Sequence, residues 1–259
     1  MTAAEIVVVA DPDAAADVAA ARIAAILSGA VATRGRADWA TTGGSTAPGI
    51  YRRLAAPPLR DEVPWAAVHV WWGDDRFVPR DHPLSNVKPL DDILVPDVPL
   101  PQANLHPFRS GEAIGAGRDA ASVARLLAAE LADAAPTVRD GFPVLDLVVL
   151  GVGADGHILS VFPGSAIFNR SDRLDRVDWA ADVPAPTHIE PHVPRVTMDP
   201  AVVRVARQVL VVATGAGKAR ILADVFGDIH DAPRWPAQLA LGANATWILD
   251  EGAAAGISR

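Results

Sequence analysis

The sequence has no cysteine. Disulfides, thiolate zinc sites, iron–sulfur clusters and a cysteine nucleophile are therefore excluded. Positive charge is also short: Lys and Arg number 23 against 31 Asp and Glu, a formal net charge of −8. That balance argues against nonspecific nucleic-acid binding, which needs a basic footprint. It leaves room for a small anion, because a few local cations suffice. No stretch approaches the ~18 uncharged apolar residues of a membrane span. The first apolar run, Ile6–Ala10, ends at Asp11-Pro12 and is too short for a signal core. The expectations are a cytoplasmic protein with no nucleic-acid and no membrane partner. What is present is a core-forming composition: 50% of the 259 residues are apolar. Disorder is thereby excluded and a sizeable core allowed. With no internal repeat and no low-complexity linker, residues 1–259 are expected to form one domain.

Short β-like runs alternate with helical ones. Ile6–Ala10 reads as a strand; Asp11-Pro12 then supplies an N-cap and first helical residue, and the helical spacing continues to a stop at Gly29. Asp38–Thr42 is a second strand, Thr46–Leu54 a short helix, and Val68–Trp72 a third, nearly continuously apolar strand. A proline-rich stretch comes next, with one helix near Asn86–Leu94. Ala116–Ala135 reads as a long helix and Val144–Leu150 as a buried strand. Beyond it, Arg173–Ala181 and Thr187–Met198 look like strands, with a helix after Asp199-Pro200. Strand Gln208–Ala213, helix Gly217–Phe226 and strand Thr246–Asp250 complete the pattern. Such alternation predicts an α/β fold: three-layer α/β/α and Rossmann-like, a mostly parallel sheet covered by helices on both faces, with a small additional β region in the second half. Its site belongs at the carboxyl ends of the strands.

Three loops carry chemistry. Thr41–Thr46 comes after a strand and opens a helix, so backbone N–H groups at Gly43 and Gly44 and the hydroxyls of Ser45 and Thr46 suit an anion. The plain alternative is a threonine N-cap after a glycine turn. The loop is not a Walker A sequence, since it lacks the Gly-Lys-Ser/Thr ending. Trp72-Gly73-Asp74-Asp75-Arg76 places two carboxylates beside an arginine at a strand end, where Asp75 and Arg76 suit a hydroxyl-rich or phosphorylated ligand or simply form a solvated turn. Ser85-Asn86 reads either as polar lining or as a helix cap. Gly151-Val152-Gly153-Ala154-Asp155-Gly156 fits G-x-G-x-x-G after an apolar strand, but Pro163-Gly164 arrives too soon for the long helix a dinucleotide site requires. The loop offers His157 two residues from Asp155 instead. An imidazole with an ordinary pKa of ~6.5 can act as a general base at neutral pH, and a carboxylate can fix its tautomer. The competing reading is a histidine that caps a helix starting there.

Two later cations, Arg195 at a strand and Lys218 at a helix start, ask for an anion unless each is a plain surface charge. His188, Glu190 and His192 would share one face of a strand, a metal arrangement or merely a polar face. The seven tryptophans lack the basic interleaving of a single-strand binder and read as core or wall residues.

Together these segments resemble the 6-phosphogluconolactonase family, within the glucosamine/galactosamine-6-phosphate isomerase superfamily. The matching segments are Thr42–Thr46, Trp72–Arg76 with Ser85-Asn86, Leu147–Gly164, Pro194–Thr197, Gly217-Lys218 and Pro236–Leu239. The family more often has Asp-Glu-Arg where this chain has Asp74-Asp75-Arg76, which leaves the role of Asp75 open. Its Thr-Ala-Ser-Leu-Phe-Pro becomes Ile158-Leu159-Ser160-Val161-Phe162-Pro163. The resemblance implies a hydrolase that opens 6-phospho-D-glucono-1,5-lactone in the pentose phosphate pathway, without metal, nucleotide or other cofactor. His157 and Asp155 are the catalytic candidates. Gly43, Gly44, Ser45, Thr46, Asp75, Arg76, Arg195 and Lys218 are the candidates for holding phosphate or oxyanion. A monomer is the expectation, with an oligomer left open. One alternative is glucosamine-6-phosphate deaminase, whose family carries a glutamate five residues after its histidine; that position here is Phe162. The other is a sugar-phosphate-sensing domain of a transcription regulator, which requires a DNA-binding module where this acidic chain begins almost at once with a strand.

Overall fold

Apolar β-branched runs set between helix-capping signals produce a parallel sheet, as the alternation demands. The computed structural model describes residues 4–134, 137–168 and 179–257. Its strands are β1 (Glu5–Val9), β2 (Ala37–Thr41), β3 (Val68–Trp72), β4 (Asp74–Arg76), β5 (Leu105–His106), β6 (Val138–Arg139), β7 (Phe142–Pro143), β8 (Leu147–Leu150), β9 (Ala180–Val183), β10 (Arg195–Met198), β11 (Gln208–Ala213) and β12 (Ala245–Asp250). Its helices are α1 (Pro12–Arg34), α2 (Ala47–Leu54), α3 (Leu59–Glu62), α4 (Lys88–Ile93), α5 (Ser110–Gly115), α6 (Ala120–Ala134), α7 (Ala201–Val205), α8 (Ala219–Val225) and α9 (Glu251–Ala254).

Seven strands form one sheet in the order β1-β12-β11-β8-β2-β3-β5, every neighbouring pair parallel. Every residue of β2, β8 and β12 is buried, which requires cover on both faces of the sheet. The strands β4, β10 and β9 make a separate antiparallel sheet; β9 and β10 are the additional β region expected in the second half, and β4 joins them from the first half. All seven tryptophans are buried, so they are core and wall residues.

Helix α1 starts as its sequence indicates, with Asp11 accepting from the Ala14 amide at 2.8 Å and Pro12 in the first turn. It does not stop at Gly29. The helix runs on to Gly35, which takes the left-handed conformation (φ 75°) and donates to the Val31 carbonyl. Packing overrides the cost of an interior glycine: Ile23, Leu27 and Ala30 are buried as α1 lies across β12, β11, β8 and β2. By length and composition alone α1 could cross a membrane, but its apolar face is spent on the sheet.

Three further expectations need correction. The long helix of Ala116–Ala135 begins only at Ala120, after a separate short helix α5. Thr187–Met198 is not one strand: Pro191 and Pro194 withhold ladder donors, and only Arg195–Met198 pairs. Val144–Leu150 shortens to β8; just before it, the side chain of buried Asp146 accepts from the Asp38 amide and pairs with Arg34 and Arg207. The strand expected at Arg173–Ala181 falls largely outside the described residues; its described end belongs to β9.

At the outer edge, His69 Nδ1 and His106 Nε2 lie 3.0 Å apart, and His106 stacks on Trp71. Burial first, then the neighbouring His69 and Arg36, push the His106 imidazole down to about 4. Folding thus keeps this ring neutral, so its contribution to stability is complete above the unfolded value of ~6.5. That contribution is lost as pH falls toward about 4. The melting temperature should fall more steeply between pH 6.5 and 4 for wild type than for His106→Gln. Equal slopes would remove the imidazole from the account.

Candidate active site

The sheet reverses its winding between β2 and β8: β3 and β5 continue to one side, β11 and β12 to the other. A crevice outside the carboxyl ends at such a switch point is where open α/β sheets bind ligands. The cleft found there is lined from β2's loop (Thr42–Thr46), from β4 (Asp74, Arg76), from β8's loop (Gly151, Gly153, His157, Ser160), from Arg195 of β10 and from Lys218 after β11.

Among the described residues, no helix follows β8 before a short 3-10 turn at 166–168. A turn closes with Gly153 donating to the His157 carbonyl (2.9 Å) and Gly156 donating to that of Gly153 (3.1 Å). Ile158 and Val161 then bridge across Leu159 and Ser160, both left-handed at φ 50° and 53°. The dinucleotide and helix-cap readings of this segment both fail for want of the helix. Asp172 and Asp175, at the distance of a ribose-binding carboxylate, lie outside the described residues. The two strained residues are held from outside: the Thr197 hydroxyl donates to the Leu159 carbonyl and the Ser160 hydroxyl to Asp74 Oδ2. Gly153 must be glycine, because a Cβ there would lie 2.0 Å from His157 Nδ1.

That turn aims His157. Its Nδ1 and its backbone N–H both meet Asp155 Oδ1, at 2.6 and 3.2 Å, which leaves Nε2 for the cleft. Burial pushes the Asp155 carboxyl up, but hydrogen bonds from His157 and His188 more than offset this and hold it well below the usual range. Asp155 therefore remains an anion against the imidazole. Phe162 packs its ring 4.7 Å from that of His157, so an apolar face stands beside the histidine.

Arg195 and Arg76 are direct partners across the antiparallel β10–β4 pair. Arg76 spends one nitrogen on the Leu84 carbonyl (3.0 Å) and Asn86 Oδ1 (2.7 Å); Arg195 donates to the Pro191 carbonyl and covers Phe162 at 5.3 Å. The Nε of each is buried without a partner. Opposed like charges with spare buried donors are unfavourable unless an anion joins them. Half-buried Lys218 has its ammonium pushed down by desolvation, against the pull of Asp155. Thr46 makes no side-chain cap to α2, so its hydroxyl is not spent on the helix. Tyr51 pins the loop by donating to the Thr42 carbonyl, and Gly43 passes so close to Asn86 that a Cβ would fall 1.9 Å from its Oδ1.

The structure thus brings together His157, Gly43, Gly44, Ser45, Thr46, Arg76, Arg195 and Lys218 at one cleft, with Asp155 behind the histidine. It does not bring Asp75 there. That side chain is 1% exposed and turned inward, accepting from the Arg76 and Asn86 amides and from Ser85 Oγ. Burial pushes its carboxyl up to about 7, with those three donors pulling the other way. Asp74 takes the cleft position instead, because neighbours on a strand face opposite ways. Asn86 lines the cleft, as one of the two readings of Ser85-Asn86 had it, and so does Ser160, which was not a sequence candidate. His188, Glu190 and His192 share no strand face: His188 turns to Asp155, and His192 stands 3.6 Å from Glu190. Pro236–Leu239 braces the site from behind, the Ala237 amide donating to the Gly156 carbonyl.

Fold and site together define a parallel α/β protein with a histidine–carboxylate pair and an anion-receiving cleft at its switch point. Comparison with known proteins makes this specific. The family model described as glucosamine-6-phosphate isomerases/6-phosphogluconolactonase matches residues 10–248. The chain is 32% identical to a 6-phosphogluconolactonase of Streptomyces coelicolor over 98% of its own length and 95% of the relative's. It is 35% identical to one of Mycobacterium tuberculosis, over 94% and 95%. A solved 6-phosphogluconolactonase from Trypanosoma brucei superposes with a TM-score of 0.83 at 28% identity, covering 98% of this chain and 99% of that one. A monomeric glucosamine-6-phosphate deaminase shares the fold at a TM-score of 0.77 but only 16% identity. The chain belongs to the glucosamine-6-phosphate isomerase/6-phosphogluconolactonase family.

Proposed function

We propose that this protein hydrolyses 6-phospho-D-glucono-1,5-lactone to 6-phosphogluconate, the lactone-opening step of the pentose phosphate pathway. The observation that carries the reading is the Asp155-held His157 facing a cleft whose other walls present Arg76, Arg195 and Lys218. His157 Nε2 takes a proton from water as the water oxygen bonds to the lactone carbonyl carbon, sending the carbonyl electrons to an oxyanion. Asp155 keeps the proton on Nδ1 and stabilises the imidazolium. The oxyanion collapses, the bond from carbon to ring oxygen breaks, and the imidazolium returns its proton to that oxygen. The three cations and the Gly43–Thr46 loop supply preorganised positive potential for two groups, the phosphate and the oxyanion. Held remotely from the reacting carbon, the phosphate orients the ring. Phe162 supports this reading over deamination, since an apolar ring stands where a deaminase has its proton-transferring glutamate.

Fresh lactone substrate, with spontaneous opening subtracted, should be hydrolysed at a rate first order in protein, while glucosamine 6-phosphate releases no ammonia. Lactone opening no faster than the blank, or ammonia release, would overturn the assignment.

A further inference from the structure

We propose that His188 is a positioning residue for this reaction: its Nε2–H anchors Asp155 Oδ2 so that Oδ1 stays aimed at His157. The role rests on the proposed lactone hydrolysis. Asp155 spends Oδ1 on His157 alone, receiving both the ring Nδ1 and the backbone N–H. A carboxylate tied through one oxygen can rotate about its Cβ–Cγ bond and present the wrong geometry to the imidazole. The second oxygen is caught by His188 Nε2 at 2.9 Å, from the loop between β9 and β10. Phe162 completes a ring of contacts: its ring centroid lies 4.7 Å from that of His157 in a tilted pair, and 5.6 Å from that of His188 in a T-shaped one. His157, Asp155, His188 and Phe162 thus hold one another in a closed cycle. His188 does not line the cleft and reaches the site through Asp155. Its side chain is 51% exposed, and an exposed pair of this kind adds little to stability. What it controls is orientation, to which a proton-transfer step is sensitive. Among the described residues no group of three or more His, Asp or Glu is arranged to hold a metal, and His188 Nε2 is already engaged.

The test compares His188→Ala with His188→Gln. Glutamine places an amide N–H as many bonds from Cα as the histidine Nε2, so it can renew the bond to Asp155. His188→Ala should lower kcat about tenfold, with KM and melting temperature unchanged; His188→Gln should recover most of the loss. A readout without substrate is the downfield proton resonance of the His157 Nδ1–H bond to Asp155. It should be sharp in wild type and His188→Gln and broadened in His188→Ala. Wild-type kcat and an unchanged resonance in His188→Ala would overturn the proposal, as would a kcat loss that glutamine does not restore. If wild type proves inactive on the lactone yet the resonance responds as expected, the reaction assignment fails while the anchoring of Asp155 stands.

Discussion

His157→Ala should lower kcat for lactone opening by about 10³-fold, a loss at the scale of removing a general base and acid in one group. KM should change little, because the residues proposed to hold the phosphate lie on other elements: the loop after β2, β4, β10 and the turn after β11. Asp155→Asn should cost about 10²–10³-fold, within the range of a general acid–base contribution. The amide keeps the shape but can turn its NH2 toward Nδ1, placing the imidazole proton on Nε2, where it blocks acceptance from water. The loss is confined to the bound complex, so single-turnover rates should fall with kcat. The double variant should be no slower than His157→Ala alone, since residues that act as a unit are not additive. A His157→Ala protein with wild-type rates would refute the mechanism. So would a double variant much slower than the single.

Much of this site was legible in the sequence because its parts are loops placed directly after strands. Gln208–Ala213 is a strand with the bounds its apolar run indicates, and the loop after such a run in an α/β chain lies at the carboxyl edge. The glycine-rich loop with Asp155 and His157 could be read the same way. The illegible part depends on pairing between distant segments. Asp74 and Asp75 are adjacent and chemically equivalent; only the antiparallel pairing of β4 with β10 decides that Asp74 faces the cleft and Asp75 the interior. His188 meets Asp155 across 33 residues, from a segment whose alternating pattern suggested a strand until Pro191 and Pro194 are set against the need for ladder donors. The overrun of α1 past Gly29 has the same origin, since burial against the sheet outweighed a local stop signal.

The largest effect on binding should come from Arg195→Met, which keeps the aliphatic stem over Phe162 and removes the charge. Arg195 is 3% exposed, faces Arg76 across the β10–β4 pair, and has a buried Nε without a partner. Burial first, and then the charge of Arg76, weaken its hold on its proton. Two guanidinium groups so placed destabilise the empty protein, and an anion between them repays the cost. Arg195→Met should therefore raise the melting temperature of the unliganded protein by a few degrees, about 2–4 °C per kcal/mol of relief. It should also raise KM about 10²-fold, the scale of losing a charged contact in a buried site. Wild type should be stabilised by 6-phosphogluconate through linkage, by about 2.7 kcal/mol at a hundred times the dissociation constant. The variant should show almost none of this at the same concentration. A variant that melts lower when empty yet is still stabilised by the product would mean that the paired arginines are a structural element of the β4–β10 sheet. Opposite signs for empty-state stability and for substrate affinity identify a charge pair held in place for an anion to join.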